Sequence, residues 1–423
     1  MGKSKEWNFF ANVCDGALFS MAMSLVSQQA VLPVFVKNIG GGNIAFGLIP
    51  VIWTFGFSFP QVAIASYAQQ LPRKKDLLLR TAIGQRVPWL LLAFFAFFVL
   101  GSTSAPVALW MFFVIFGLAA VGGSLNLPVW FDLVAKLTPV RARGRLFAAR
   151  SIGGAVLGML GGAVVSYVLS RFDYPVNFGI LLLSAFVVMM LSYLFLVSLR
   201  EETDSVAAQT RRDLRYVLHA PRILRSERNF RNYLVADALL ISAGMANAFF
   251  AVHALEKFSL PDAYAGTFTV AMMASMIIGS IVFGLLADRF GHKINMIISA
   301  SATLIACCTA IAAPAVEMYI GVFVCSSVTV ALASISRLPL IAELCPEAER
   351  PTSVALANLV TSPFVLFGIG GGWLANRLGY EWVFALSALF ALGALLWLAL
   401  QVREPRRSIL IPIAAADSVQ SIE

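Results

Sequence analysis

The sequence predicts an all-α membrane protein with twelve transmembrane helices in two pseudo-symmetric six-helix bundles, both termini on the cytoplasmic side. Three observations carry that expectation. Of 423 residues, 59% are hydrophobic and only 13% charged, about half the charged share of a soluble domain. Apolar runs recur along almost the whole chain, each with the roughly 18 residues or more needed to cross a hydrocarbon core of about 30 Å. Local residue patterns of the first half return, in order, in the second. Little chain remains for a soluble domain. No nucleophile, base and orienting group converge in a polar segment, so the reading excludes an enzyme.

Taken in order, spans 1 to 6 fall at residues 8–36, 44–68, 84–101, 107–135, 148–170 and 177–199. Spans 7 to 12 fall at 232–256, 263–287, 294–313, 317–342, 352–375 and 382–401. Lys3 and Lys5 give the first run the look of a signal peptide, but its length, its Asp15 and the span that follows at once make it a retained helix. The chain thus divides into a bundle over 1–199, a cytoplasmic central loop over 200–231, a second bundle over 232–402 and a tail over 403–423. The central loop is basic, and Leu214, Val217, Leu218, Ile223 and Leu224 are spaced to face one side of an amphipathic helix lying on the membrane surface.

The net charge of +9 is a matter of topology, not of nucleic-acid binding. With both termini inside, 26 of the 31 Lys and Arg residues lie on the cytoplasmic side. Lys37, Arg171, Lys257 and Arg377 fall outside, and Arg337 sits within span 10. This asymmetry orients the chain in a cell inner membrane. The five cysteines lie in or beside apolar spans and read as small packing residues. No zinc-type spacing and no cofactor motif is present.

The duplication shows as a series of matches. Asp15 in span 1 corresponds to Asp237 in span 7, and Lys74 to Lys293 in the loops after spans 2 and 8. Leu127-Pro128-x-x-x-Asp132-Leu133 corresponds to Leu338-Pro339-x-x-x-Glu343-Leu344. Arg171-x-x-Tyr174-x-x-x-Phe178 corresponds to Arg377-x-x-Tyr380-x-x-x-Phe384, and Arg200-Glu201 to Arg403-Glu404. An ordered set of five is hard to obtain by chance.

Within this frame, Gly284-Leu285-Leu286-Ala287-Asp288-Arg289-Phe290-Gly291-His292-Lys293 resembles the G-x-x-x-D-R-x-G-R-K signature of the major facilitator superfamily. The resemblance covers essentially the whole chain. It implies that fold, and alternating access in which the halves rock about a central site near the bilayer midplane. The counterpart after span 2, from Ala65 to Lys75, keeps its basic end, Arg73-Lys74-Lys75, but not the Gly, Asp and Arg. By the same resemblance Glu343 is expected to pair with Arg289, and Asp132 with Arg73 or a neighbour, as gating contacts that break on inward opening.

A carboxylate at mid-helix costs roughly 2.5 to 3.5 kcal/mol on insertion scales, so membrane charges mark candidate sites. Asp15 and Asp237 lie at similar depth, on spans that line the central cavity in the superfamily. Both are candidates for protonation coupled to transport, and equally for structural hydrogen bonding near the boundary. Arg337 can attract an anionic substrate or pair with Asp237. Asn12 and Asn126, the latter the repeat counterpart of Arg337, are further cavity candidates.

Glycines 153, 154, 158, 161 and 162 in span 5, and 368, 370, 371 and 372 in span 11, permit close helix packing. The run Leu157-Gly158-Met159-Leu160-Gly161-Gly162 is similar to the antiporter signature ending in G-P-x-x-G-G, without its proline. The expected function is therefore a proton-coupled transporter of a small solute, exporting an organic molecule. It works as a monomer among lipids, without cofactor or nucleic acid. Cys14, His253 and Met272-Met273 leave transition-metal transport as an alternative, and the eroded loop after span 2 leaves a transporter-like assembly factor or sensor.

Overall fold

The computed structural model describes residues 3–68, 71, 73–201, 227–345 and 350–405. The amphipathic helix expected in the central loop, and most of the tail, lie outside the described residues. We label the helices α1 to α12 in chain order, joining pieces that run on from one another. The first six are α1 (Lys3–Leu25, then Val31–Asn38 after a turn over 26–30), α2 (Asn43–Ala68), α3 (Lys75–Phe94, running on to Ser102), α4 (Ala105–Leu137), α5 (Val140–Arg171) and α6 (Val176–Ser198). Next come α7 (Arg228–Ala243, a 3-10 turn over Gly244–Ala248, then Phe250–Lys257), α8 (Tyr264–Phe290) and α9 (His292–Ala312). Last are α10 (Val316–Leu344), α11 (Arg350–Thr361, a 3-10 turn over Ser362–Leu366, then Phe367–Leu378) and α12 (Tyr380–Gln401). No strand occurs among the described residues. Among the described residues ten helices, α3 to α12, are long and apolar enough to cross a membrane.

Helices outrun the apolar runs that predicted them. Helix α3 begins at Lys75 and α5 at Val140, not at 84 and 148. Arg86 and Arg150, counted above among the cytoplasmic cations, therefore sit eleven and ten residues inside their helices, about 15 Å at 1.5 Å per residue. Arg337 is not the sole arginine set deep in a helix.

The breaks in α1 and α7 occupy equivalent places in the two halves, and both meet at α10. Ser326 Oγ lies 2.8 Å from Asn247 Oδ1 and 3.2 Å from Gln29 Oε1; its single proton serves one at a time. Through these side chains α10 ties the two breaks together.

The duplication extends to packing. Helix α1 packs on α5 and α6, α2 on α4, and α3 on α4 and α6; α7 packs on α11 and α12, α8 on α10, and α9 on α10 and α12. Adding six to each number maps one set onto the other. Between the sets, α5 packs on α8 and α2 on α11, again a symmetric pair.

The two ends differ. At the end bearing residues 37–47 and 256–262, here the far end, one continuous core contains Phe35, Phe46 and Phe112 together with Phe249, Phe250 and Phe384. At the opposite, basic end the core divides. Leu78, Val129, Leu133 and Leu196 form one cluster, and Phe230, Tyr233, Leu340 and Leu398 another. Outward-facing Phe98, Trp110 and Leu400 are exposed, as lipid-facing positions require.

Candidate functional site

Two buried aspartates anchor the site, one in each half. Asn8, Asn12 and Asp15 share a face of α1 by helical spacing, and all three are buried. Asp15 Oδ2 receives Arg150 Nη1 from α5 at 3.0 Å, and Asp15 Oδ1 receives Ser192 Oγ from α6 at 2.7 Å. Arg150 Nη1 also donates to the carbonyl of Asn12. Ser192 in turn receives Arg86 Nη2 at 3.2 Å, while Arg86 Nε and Nη1 donate to the carbonyls of Met189 and Ala82, each at 2.9 Å. Thus one carboxylate stands between two guanidinium groups, one direct and one through a hydroxyl. Sequence reasoning missed both. A signal was present: each lies close to the edge of an apolar run, where a helix continues beyond its hydrophobic stretch.

The second aspartate has a single cation. Arg337 Nε lies 3.1 and 3.0 Å from the two oxygens of Asp237, and Nη2 lies 2.8 Å from Oδ2. The remaining donors reach α11, with Nη1 on Asn358 Oδ1 at 2.9 Å and Nη2 on Thr361 Oγ1 at 3.1 Å. Of the two roles open to Arg337, pairing with Asp237 is the one observed. Asn126, its repeat counterpart, does not reach Asp15. Its amide donates to Leu78 O at 3.3 Å and Thr81 Oγ1 at 3.2 Å and ties α4 to α3.

At the basic end Gly291, with φ +86°, is the single residue between α8 and α9, a left-handed conformation that favours glycine. Glu343 faces His292 Nε2 at 4.0 Å, whereas Arg289 lies over the Phe290 ring at 5.2 Å. The expected Arg289–Glu343 pair is not formed, because α8 stays helical through Phe290 and presents Arg289, with Asp288, on its exposed side. Gly284 lies five residues before Arg289 on the same helix, and Lys293 is the second residue of α9 beyond the Gly291 turn. Asp132 pairs with Lys74 at 3.0 Å, the neighbour of exposed Arg73.

A further basic-end feature went unread although the repeat contained it. Glu201 accepts the backbone N–H groups of Lys74 and Lys75 at 3.1 and 2.8 Å and pairs with Lys136 at 3.0 Å. It caps the start of α3, where a carboxylate complements the helix dipole. Its counterpart Glu404 lies against Gly291 at the start of α9, so close that a Cβ on Gly291 would come 2.4 Å from the carboxylate. Asn8 exchanges hydrogen bonds with the backbone of Arg200 at 2.9 and 2.8 Å, and Asn229 does the same with Arg403 at 2.9 and 2.8 Å. Replacing Glu201 with Ala removes the acceptor of the Lys74 and Lys75 amides and one partner of Lys136. We expect the unfolding midpoint to fall by an amount equivalent to about 2 kcal/mol, read by thermal unfolding in lipid nanodiscs. An unchanged midpoint would refute the cap.

The far end is closed by backbone contact. A Cβ on Gly47 would lie 2.0 Å from Gly368 O, one on Gly372 2.5 Å from Asn43 O, and one on Gly266 2.3 Å from Ser166 N and 2.4 Å from Gly162 O. Asn38 donates to Asp262 at 2.7 Å, Lys37 pairs with Glu256 at 3.3 Å, and Tyr380 donates to Asn43 at 2.8 Å. His253 is buried near this end, its Nδ1 2.9 Å from Tyr319 Oη. Among the described residues, no three His, Cys, Asp or Glu side chains gather as a metal site.

A sequence profile described as Major Facilitator Superfamily matches residues 9–255 and 234–418. The chain belongs to the Major Facilitator Superfamily. It is a multi-pass membrane protein and a transporter of that superfamily. It is 26% identical over 174 residues to the human MFS-type transporter SLC18B1, an alignment spanning 37% of this chain and 38% of that protein. Its fold is similar to that of a mutant of the nucleoside transporter NupG, with a TM-score of 0.72 at 14% identity over 95% of this chain and 100% of that one. It is also similar to the D-xylose-proton symporter (0.68, 17%, covering 95% and 99%). A bacterial homologue of the iron transporter ferroportin in an inward-facing state follows (0.65, 15%, covering 93% and 98%).

Proposed function

We propose that this superfamily member is a proton-coupled secondary transporter that exports a small organic molecule across the inner membrane by alternating access. Twelve helices cross the membrane, with the basic end and both termini in the cytoplasm. The two halves, 1–199 and 232–402, move as units joined by the central loop. The observation that carries the reading is the matched pair of buried aspartates on α1 and α7, each held by an arginine from a neighbouring helix. They lie between the basic end and the two helix breaks. A proton arriving on Asp237 cancels the charge that holds Arg337, which frees a cation inside the membrane and changes what the site can bind. Export is supported by the α5 glycine run that resembles the antiporter signature.

In this reading the structure is inward-open, with the far end shut and the cores divided at the cytoplasmic end. Lys74–Asp132 and Lys136–Glu201 are intact in that state. Both brace the cytoplasmic end of the first half, and in this reading they are not locks that break on inward opening. The test compares substrate flux in proteoliposomes under an imposed pH gradient. Wild type should respond to the gradient, and the Asp15→Asn, Asp237→Asn double variant should lose the response. Identical fluxes would refute the coupling role.

A further inference from the structure

Three arginines lie deep in the helices, and their hydrogen bonding is unequal. In Arg86 and in Arg337, Nε, Nη1 and Nη2 each donate to a protein acceptor. Arg150 differs. Both of its hydrogen bonds leave from Nη1, to Asp15 and to the Asn12 carbonyl. Its Nε–H and Nη2–H have no partner among the described residues. Those two groups form the parallel fork that binds a carboxylate in bidentate fashion.

The fork is held in place. The Arg150 guanidinium lies over the Trp130 ring at 4.4 Å, and α1 approaches so closely at Gly16 that a Cβ there would come 2.5 Å from Cζ. A planar cation in such a slot can rotate little, so its ordering cost is met before a ligand arrives. Trp130 Nε1–H is a further buried donor with no hydrogen-bond partner among the described residues. The Arg150 side chain keeps 15% of its exposure, whereas Arg86 keeps 1%.

Charge points the same way. At this depth three guanidinium groups face two carboxylates, and one uncompensated cation in a low-dielectric interior is costly. Asp15 stays compensated while Arg150, without turning, shares its charge with a second anion, because Ser192 and, through it, Arg86 remain. Among the described residues Asp237 has no such second cation.

We infer that the transported molecule is a small organic anion, and that its carboxylate docks on the Nε and Nη2 edge of Arg150 with Trp130 Nε1–H as a third donor. The inference rests on the transporter reading but not on proton coupling.

The full chain in lipid nanodiscs is tested by thermal unfolding against probes that share a skeleton and differ in charge. These are benzoate, benzamide and benzylamine, then succinate, succinamide and 1,4-diaminobutane, together with anion-exchange and cation-exchange fractions of a cell extract. Benzoate, succinate or the anionic fraction should raise Tm. Arg150→Gln should abolish the rise, and Arg150→Lys should weaken it at least tenfold, since an ammonium keeps the charge without the fork. Stabilisation by the amines, the amides or the cationic fraction alone overturns the inference, as does stabilisation by none of them or an anion effect that survives both substitutions. The lysine variant covers the case in which the glutamine variant does not fold. A wild type that binds anions yet ignores an imposed pH gradient would refute proton coupling and leave this inference standing.

Discussion

Asp237→Asn should destabilise the protein by about 3 to 5 kcal/mol, and adding Arg337→Gln to the same chain should restore most of that loss. The single change strands a guanidinium in the membrane interior, since Asp237 is 2% exposed and takes contacts at 2.8, 3.0 and 3.1 Å from Arg337. Removing one member of a buried pair leaves an uncompensated charge, whereas removing both is often close to neutral. Asn358 and Thr361 accept from Arg337, and the shorter amide that replaces the guanidinium can satisfy them only in part, so recovery should be incomplete. A double-mutant cycle in nanodiscs gives the coupling energy directly. Additive losses would show that the pair is not a unit. If the coupling reading is right, the double variant folds and still fails to respond to a pH gradient.

Gly266→Val should abolish transport and hold the far end open. The added side chain meets Ser166 N at 2.3 Å and Gly162 O at 2.4 Å, both backbone atoms of α5, so no rotamer change relieves the clash. Only separation of α5 from α8 does. Interiors packed this closely do not absorb an extra methyl group without movement. A cysteine introduced by Thr269→Cys, one turn beyond Gly266 and fully buried, should react at least tenfold faster with a membrane-impermeant maleimide in the Gly266→Val chain than without it. Gly321→Ala, where nothing lies within 4 Å of the new Cβ, is the matched control and should change neither labelling nor flux. Equal labelling with and without Gly266→Val would show that this contact does not close the far end.

Much of the fold was legible because hydropathy and repetition are local properties. The apolar runs placed ten of the membrane helices to within several residues, and the Leu-Pro-x-x-x-acid and Arg-Glu matches revealed the duplication that the packing of α1 to α6 and α7 to α12 displays. The candidate site was legible in its acids and much less in its cations. Asp15 and Asp237 stand out as charges in apolar surroundings. Arg86 and Arg150 do not, because each sits beside the end of an apolar run and reads as the positive edge of a loop. Glu201 was visible as one half of a repeated dipeptide, but nothing near it in sequence says that it caps α3.

By itself, the sequence determined the all-α class, the presence of ten long apolar helices, the superfamily and two aspartates set in apolar surroundings. Only the tertiary structure decided which cation each aspartate takes, where the halves touch and which end is shut. The physical reason is separation along the chain. A helix is specified by neighbours three and four residues away, whereas Asp15 meets Ser192 across 177 residues and Asp237 meets Arg337 across 100. Residues that far apart meet according to how whole helices pack, and the glycines that let α2 meet α11 and α5 meet α8 acquire their meaning only in that contact.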